Sequence, residues 1–255
     1  LFTKAAFDKP YENENSFGAT YGEHREALEF GREEYAELKG YAAELGLDFF
    51  ATAFDIRSAD FLEALGMPAY KIASADLRNL PLLRHVAAFG KPVVVSTGGG
   101  TMEDVERAYD TVMAINTQLC IMQCTCGYPV EFDELNLRAI ETFRQRFPDI
   151  VVGYSGHDNG IAMPVVSYVL GARVIEKHFT LDKAMEGWDH AISADPDDLA
   201  VIVHEGRRIA TALGTEGRQV TDKDIEMRAS FRRSIVAARL IKAGAVIERA
   251  DLDFK

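Results

Sequence analysis

Two histidines stand at the ends of successive apolar segments of this chain. His157 closes residues 151–157, VVGYSGH, and His178 lies in residues 174–180, VIEKHFT. They are 21 residues apart, which suits one strand–helix–strand crossover. If the two strands are parallel neighbours, both imidazoles lie at the same edge of the sheet and can share a metal ion. The alternative is two hydrogen-bonded histidines at strand ends without a metal.

The nature of the metal follows from the available ligands. Neutral imidazole binds ions of the Mn²⁺, Fe²⁺ and Zn²⁺ type, and a mixture of histidine and oxygen ligands suits Mn²⁺. The nearest carboxylates in the sequence are Glu176 and Asp189. Any further ligands are expected to be water, substrate or one of these carboxylates.

A lysine and several hydroxyl groups occupy the ends of the preceding strands. Lys71 lies in an apolar segment, where an ammonium group is costly to bury unless it meets an anion. Strand alternation predicts opposite faces for Lys71 and Ser74, unless the strand ends between them. Residues 98–100 are all glycine and open a helix, so backbone N–H groups there can approach a phosphate. With Thr52 and Ser96, these groups indicate a site for a phosphorylated acid; alternatively, the hydroxyls only cap helices.

The remaining candidates lie in loops. Cys120, Cys124 and Cys126 are odd in number and lack regular spacing, which predicts no disulfide framework and indicates a reducing cytoplasm. We interpret them as small side chains at a strand end, with a Cys-x-Cys metal or redox site as the alternative. Tyr128 either faces a substrate or packs over the end of the sheet. Asp189 either binds sugar hydroxyls or serves a turn.

The composition is that of a soluble globular protein. The 255 residues are 47% hydrophobic and 27% charged, and no apolar segment approaches the roughly 20 residues of a membrane span. The formal net charge of −12 argues against a nucleic-acid surface. Leu1 is not an initiator methionine, so the true amino terminus is expected to precede it. We therefore expect a cytoplasmic protein that binds neither nucleic acid nor a membrane.

Short apolar segments alternate with helical patterns over most of the chain. The apolar segments lack period-two alternation and contain β-branched residues, as strands covered on both faces do, so the repeated units imply a parallel sheet. The predicted strands are residues 49–53, 69–72, 92–96, 119–123, 150–154 and 174–178. The predicted helices are residues 32–45, 56–65, 82–89, 102–115, 135–146, 161–170 and 196–213.

Two α/β architectures accommodate these strands, a doubly wound sheet and an eight-stranded TIM (β/α)8 barrel. Polar residues recur at strand ends every 22 or 23 residues, at Thr52, Ser74 and Ser96 and again at Ser155 and His178. This recurrence favours the barrel, whose active sites lie at the carboxyl ends of the strands. Residues 1–213 are then expected to hold strands three to eight, with the first two strands missing from this sequence.

The composition changes after Gly214. Residues 214–232 are polar and charged and are interpreted as a linker. Residues 234–238 are predicted to form a strand, and residues 242–247 a turn into another. Because residues 233–255 are too few to bury a core, they are expected to begin a second domain.

The motifs, in this order, resemble the sialic acid synthase (N-acetylneuraminate synthase) family. The matching segments are TYGEH at 20–24, KIAS at 71–74, STG at 96–98, QCT at 123–125 with YP at 128–129, GYSGH at 153–157 and EKHFT at 176–180. The resemblance covers nearly the whole chain. It implies a TIM barrel followed by the start of a small β-rich antifreeze-like domain. It also implies condensation of phosphoenolpyruvate with N-acetylmannosamine, a related N-acyl hexosamine or its 6-phosphate, giving a nonulosonic acid and phosphate.

The resemblance implies a role for each matched position. His157 and His178 would bind a divalent metal, usually Mn²⁺, with Mg²⁺ or Co²⁺ as alternatives. Phosphoenolpyruvate would be held by a lysine and four hydroxyl side chains, Lys71, Ser74, Thr52, Ser96 and Ser155. Tyr128 and Asp189 would contact the sugar. Lys71, Asp76, His157 and His178 would form the catalytic group. Two matched positions differ from the family pattern: Asp76 stands where a glutamate is usual, and the substrate-binding Cys126 stands where an amide or hydroxyl residue is usual.

The resemblance also implies parts outside this sequence. These are a glutamate on a first strand, a lysine and a glutamine on a second, and an arginine from the antifreeze-like domain of a partner in a domain-swapped homodimer. Two other functions remain open, a metal-dependent barrel hydrolase and a non-catalytic sugar-binding relative. Full activity without phosphoenolpyruvate favours the hydrolase, and sugar binding without turnover favours the binding protein.

Overall fold

The computed structural model describes residues 3–187 and 189–255. These residues form two compact units that divide between Ala212 and Leu213. The first unit contains a parallel sheet with helices, and the second contains a helix and a two-stranded sheet. Within the described ranges, none of the helices has the length and apolar character needed to cross a membrane.

Five parallel strands form the sheet of the first unit. They are β1 (Tyr70–Ile72), β2 (Val93–Ser96), β3 (Leu119–Cys124), β4 (Val151–Gly156) and β5 (Val174–Lys177). Their order in the sheet is their order in the sequence. A doubly wound sheet reverses its order at a switch point, whereas a barrel adds each strand to the same side of the previous one. The doubly wound alternative is therefore wrong, and the barrel-type α/β sheet is confirmed.

Contact between the two edge strands shows that this sheet is curled. The ammonium group of Lys71 on β1 lies 3.3 Å from a carboxylate oxygen of Glu176 on β5. In a flat sheet, four strand spacings would separate β1 from β5 by about 19 Å, too far for these two side chains to meet. The strands therefore bend toward one another, as they do in part of a barrel wall.

The predicted first strand, residues 49–53, is wrong in extent. The segment makes a single bridge between Thr52 and Lys71, flanked by two hydrogen bonds. Ala53 N–H donates to the Lys71 carbonyl at 3.2 Å, and Lys71 N–H donates to the Ala51 carbonyl at 3.4 Å. The backbone is thus aligned beside β1, but two hydrogen bonds are too few to make a ladder.

The helices that begin in the first unit follow the predicted pattern. They are α1 (Lys4–Phe7), α2 (Tyr21–Leu28), α3 (Arg32–Glu44), α4 (Ile56–Ala64), α5 (Leu80–Ala87), α6 (Met102–Met113), α7 (Ala139–Arg146), α8 (Ala162–Leu170) and α9 (Pro196–Leu213). All seven predicted helices are confirmed. The largest boundary difference is at α7, because residues 132–134 form a separate 3-10 turn ahead of it.

The helix caps exclude one interpretation of the strand-end hydroxyls. Asn79 accepts a hydrogen bond from Leu82 N–H at the start of α5, and Thr101 accepts one from Asp104 N–H at the start of α6. Each cap lies several residues beyond the strand end, in the position that such polar residues favour. The alternative of simple helix capping is therefore wrong for the earlier hydroxyls, those of Thr52, Ser74, Ser96 and Ser155.

The strand register assigns different chemistry to the two faces of the sheet. One face packs against the helices and supplies the core, with Tyr70, Ile72, Val93, Val95, Leu119, Ile121, Val152 and Tyr154. Because side chains alternate along a strand, the intervening residues lie on the opposite face. That face carries the polar groups Lys71, Ser96, Cys124, Ser155 and Glu176.

The core makes a direct stability prediction. Leu83 of α5 is fully buried, and Leu83→Ala is expected to lower the free energy of unfolding by about 2–5 kcal/mol because it leaves a cavity. Urea unfolding followed by circular dichroism measures this loss. Leu45, which is 58% exposed, provides the control: Leu45→Ala is expected to change the same quantity by less than about 0.5 kcal/mol. Equal losses in the two variants would contradict the assignment of the core.

The second unit contains α10 (Asp222–Phe231) and two antiparallel strands, β6 (Ile235–Ala237) and β7 (Leu252–Phe254). Helix α10 lies within the predicted linker, and its first turn carries a capping box. The strand predicted at residues 234–238 is confirmed as β6. The turn predicted at residues 242–247 is confirmed, since Ala245 N–H donates to the Lys242 carbonyl at 3.1 Å. The strand does not follow it directly, because β7 begins only after a further turn in which Asp251 accepts a hydrogen bond from Glu248 N–H at 2.8 Å.

Candidate metal and anion site

The rings of His157 and His178 lie beside each other at the carboxyl ends of β4 and β5. Their centroids are 5.3 Å apart. The ring of Tyr128, from the loop after β3, is centred 4.3 Å from that of His157 and 5.8 Å from that of His178. The structure therefore brings together three of the residues that the sequence indicates.

Both histidines have a polar partner at Nδ1. Nδ1 of His157 is 3.0 Å from the Thr125 carbonyl oxygen, and Nδ1 of His178 is 3.4 Å from Oδ2 of Asp189. A partner on one ring nitrogen orients the imidazole and leaves Nε2 for a ligand. In the described part of the chain, no cluster of three or more histidine, cysteine or acidic donors could hold a metal. The pair thus fits a site with two protein ligands, completed by water or substrate oxygens.

The surroundings shift the pKa values of this group. Burial lowers the pKa of His178 against the opposing effect of Asp189, which favours the neutral imidazole that binds metals. Burial also disfavours the charged form of His157, but a hydrogen bond with Cys124 contributes to a net rise of its pKa. The Cys124 thiol has a lowered pKa, since contacts with His157 and Ser74 outweigh the effect of burial.

A buried lysine lies on the same face of the sheet. Lys71 is 7% exposed, and its ammonium group contacts Oε1 of Glu176. The same oxygen accepts a hydrogen bond from Oγ of Ser155 at 2.7 Å. The Glu176 side chain is 43% exposed, so the cation is held by a carboxylate that still reaches solvent. An anionic substrate that binds Lys71 must therefore take the place of this carboxylate or be held against its charge.

The glycine turn after β2 closes the other side of the site. Gly98 N–H donates to Oγ of Ser74 at 2.9 Å, because β1 ends before Ser74 and the chain turns there. This break places Ser74 beside the sheet face of Lys71. A Cβ at position 98 would lie 2.6 Å from Sγ of Cys126 and 2.8 Å from Oγ of Ser74. Only glycine fits in this position without displacing the two side chains.

The other predicted residues differ in how they relate to this group. Thr52 is bridged to Lys71 through the backbone. Ser96 is buried, and its hydroxyl has no hydrogen-bond partner, which leaves it available to a ligand. Asp76 instead accepts a hydrogen bond from the Asn79 side chain at 2.9 Å. Among the described residues, no hydrogen bond or ion pair joins Asp76 to Lys71 or to the histidines.

Two contributors are not apparent from the sequence. Glu176 is indicated only as a carboxylate near the histidines, but it contacts Lys71 and Ser155 instead. Cys124 is interpreted only as a small strand-end side chain, but its thiol contacts both His157 and Ser74 and so joins the two halves of the site. The register of the strands identifies both Glu176 and Cys124, because Cys124, Ser155 and Glu176 are paired with one another across three adjacent strands.

Known proteins resemble this chain over most of its length. The model of the NeuB family matches residues 1–218. N-acetylneuraminate-9-phosphate synthase of Mus musculus is 39% identical over 246 residues, which cover 96% of this chain and 68% of that protein. N,N'-diacetyllegionaminic acid synthase of Legionella pneumophila is 37% identical over 254 residues, covering 98% of this chain and 70% of that protein.

A solved structure agrees with these relatives. N-acetylneuraminic acid (sialic acid) synthetase of Leptospira borgpetersenii, in complex with citrate, superposes with a TM-score of 0.74 and 34% sequence identity. The match covers 84% of this chain and 78% of that one. The resemblance inferred from the motifs is confirmed by sequence and by fold, and the chain belongs to the NeuB family.

Proposed function

We propose that this protein condenses phosphoenolpyruvate with an N-acyl hexosamine to form a nonulosonic acid and phosphate. The observation that carries the proposal is the close association of a histidine pair with a buried lysine and hydroxyl groups on one face of a curled sheet. Relatives named for N-acetylneuraminate-9-phosphate and for N,N'-diacetyllegionaminic acid support a product of this class. The hexosamine is N-acetylmannosamine, its 6-phosphate or a related N-acyl sugar.

Phosphoenolpyruvate binds beside Lys71. The ammonium group supplies the charge, and the surrounding hydroxyls supply hydrogen bonds to the phosphate and carboxylate oxygens. The unpartnered Ser96 hydroxyl and the Ser74 hydroxyl at the Gly98 turn are the best placed of these, with Thr52 and Ser155 beside them. These groups act by positioning the substrate and by stabilising its charge as the reaction proceeds.

His157 and His178 would hold the divalent metal, Mn²⁺ in our proposal, with Mg²⁺ or Co²⁺ as alternatives. When bound, such an ion supplies Lewis-acid polarisation of the open-chain aldehyde oxygen of the sugar. Tyr128, 56% exposed over the histidines, offers a ring face to the sugar. Asp189 orients His178 and lies at the same opening.

Two further residues are proposed to border the hexosamine. Cys126 is exposed, and its thiol approaches the Gly98 turn. Asp76 lies one turn beyond β1, and its Oδ1 already accepts a hydrogen bond from the Asn79 side chain, which leaves Oδ2 as the oxygen that could reach a sugar hydroxyl. The reach of Asp76 is therefore the least direct of the proposed contacts.

The reaction forms one carbon–carbon bond and releases one phosphate. C3 of phosphoenolpyruvate attacks the aldehyde carbon of the sugar, and positive charge develops at C2. Water adds to C2, and the resulting tetrahedral intermediate expels phosphate to leave a keto group. Lys71 stabilises the carboxylate and phosphate throughout because it is buried where water competes poorly for it.

We further propose the context of the whole protein. A closed barrel would add two strands beside the segment around Thr52, which pairs only through its bridge to Lys71 in the described structure. Strands β6 and β7 would begin an antifreeze-like domain. In a domain-swapped homodimer, that domain would offer an arginine to the partner's site, and the protein would work in the cytoplasm.

The test uses the protein expressed from its complete reading frame. It is incubated with phosphoenolpyruvate, Mn²⁺ and each candidate hexosamine, phosphorylated or not, and both phosphate and nonulosonic acid are measured. We expect equal amounts of the two products with at least one sugar. Absence of phosphate release with every sugar would refute the proposal. Turnover of a sugar substrate without phosphoenolpyruvate would favour the hydrolase instead.

Gly98→Ala tests the anion part of the site. The added methyl group would overlap the Ser74 hydroxyl and the Cys126 thiol, and such overpacking costs about 1–3 kcal/mol. We expect the KM for phosphoenolpyruvate to rise roughly tenfold to a hundredfold. Gly40→Ala is the control, because a methyl group there meets nothing within 4 Å. Unchanged KM values in both variants would remove the Gly98 turn from the site.

A further inference from the structure

The two histidines directly follow the last hydrogen-bonded residue pair between β4 and β5. The ladder between β4 and β5 ends with the pair Gly156 and Lys177, and His157 and His178 are the next residues of the two strands. Beyond this pair, the two backbones form hydrogen bonds with different segments of the chain. The His157 carbonyl accepts from Val130 N–H at 3.2 Å, whereas the His178 carbonyl accepts from Ala194 N–H at 2.8 Å. The ladder therefore does not itself set the distance between the two imidazoles.

A buried side-chain contact continues the pairing at this point. Nζ of Lys177 donates a hydrogen bond to the backbone carbonyl of Asp158 and lies 3.8 Å from Oδ2 of the same residue. Asp158 Oδ1 accepts a hydrogen bond from the Tyr154 hydroxyl at 2.6 Å. Asp158 directly follows His157, and Lys177 directly precedes His178. The contact thus joins the immediate neighbours of the two histidines.

Because this contact is buried, the desolvation of its two charged groups offsets much of the stability that it could contribute. Asp158 is fully buried and the Lys177 side chain is 5% exposed. Oδ2 of Asp158 has no hydrogen-bond partner, so the pair does not fully recover the hydration energy that it loses. The network of Tyr154, Asp158 and Lys177 requires a glycine at position 156. A Cβ there would lie 2.5 Å from the Tyr154 ring and 2.6 Å from Asp158 Oδ1.

We propose that Lys177 and Asp158 are positioning residues that hold His157 and His178 at the separation required to share a metal ion. The inference rests on the proposed metal site, and it concerns residues that do not touch the metal or the substrates. Tyr154 anchors Asp158 from the core side of the sheet, and Lys177 closes the link from β5. Without the link, each histidine would remain attached only to its own loop partners.

The test measures Mn²⁺ affinity by calorimetry and, separately, the affinity for phosphoenolpyruvate without metal. Lys177→Met keeps an unbranched apolar side chain, one atom shorter, but removes both contacts to Asp158. Loss of a group that orients a metal ligand typically weakens binding about 10- to 100-fold, and we expect a loss in that range. Asp158→Asn keeps the backbone carbonyl and an acceptor for Tyr154, so its loss of affinity is expected to be smaller. The affinity for phosphoenolpyruvate is expected to stay within about twofold in both variants.

Lys91→Met is the matched control, because Lys91 also pairs with a carboxylate, Glu63 at 2.6 Å, but at the amino end of β2. It is expected to bind Mn²⁺ as the unmodified protein does. Equal Mn²⁺ affinity in the unmodified protein and in both site variants would overturn the positioning role alone. Parallel loss of both affinities in Asp158→Asn would assign the network a general structural role instead. Failure of the unmodified protein to bind Mn²⁺ would refute the metal site itself.

Discussion

His178→Ala is expected to remove the metal from the protein and to lower turnover about 100- to 10,000-fold. The variant loses one of the two imidazoles that lie 5.3 Å apart at the strand ends. The described residues contain no group of three or more histidine, cysteine or acidic side chains that could hold a metal, so no further ligand compensates for the loss. The range corresponds to the several kcal/mol that a Lewis-acid metal contributes to a transition state. Metal content after dialysis and the rate of phosphate release measure the two effects.

His85→Ala provides a closely matched control. His85 also pairs with an aspartate, Asp60 at 2.6 Å, and its side chain is 32% exposed, as that of His178 is. His85 lies in α5, however, and has no contact with His157 or Tyr128 among those described. The control is expected to keep its metal and its turnover. If His178→Ala also kept both, the ligand assignment would be wrong.

Lys71→Met is expected to lower kcat/KM for phosphoenolpyruvate about 30- to 5,000-fold while leaving Mn²⁺ binding intact. The substitution removes the buried cation and leaves Glu176 facing the anionic substrate without its partner. Removal of one member of a buried charge pair costs about 2–5 kcal/mol, and this cost converts to the stated range. Steady-state kinetics with phosphoenolpyruvate as the varied substrate measure the loss.

The control for this variant is again Lys91→Met, which breaks the lysine–glutamate pair at the amino end of β2. The two lysines differ in burial, with side chains 9% and 30% exposed, and in the end of the sheet that they occupy. We expect the Lys91 variant to retain its kcat/KM. An unchanged KM for phosphoenolpyruvate in Lys71→Met would show that the anion binds elsewhere.

The core substitution belongs to a different class of effect. Leu83→Ala acts on unfolding through a cavity behind the sheet, whereas Lys71→Met acts through a polar group on the opposite face. Side chains alternate between the two faces along each strand. A substitution of Lys71 is therefore expected to affect activity, whereas a substitution of its neighbour Ile72 is expected to affect stability. Comparing unfolding and kinetics for the same variants therefore tests the face assignment as a whole.

The sequence by itself determined the βα repeat, all seven predicted helices, the five strands of the sheet and the proximity of the two histidines at the strand ends. These features depend on local signals, namely apolar segments, β-branched residues and capping residues, which act within a few positions of one another. The same locality explains the errors. Residues 49–53 carry a strand pattern but form only the Thr52 bridge, and α10 arises in a polar segment interpreted as a linker.

Only the tertiary structure decided how the strand ends meet. The choice of a barrel-type sheet required the strand order, which no local pattern contains. The partnership of Lys71 with Glu176 joins β1 to β5 across a curled sheet. The contact of Ser74 with Gly98 depends on the chain turning directly after β1 ends at Ile72, which takes Ser74 out of the strand alternation. Such contacts depend on register and curvature, which are properties of the whole sheet. The residues that we propose for the chemistry could thus be named from the sequence, but the residues that hold them in place could not.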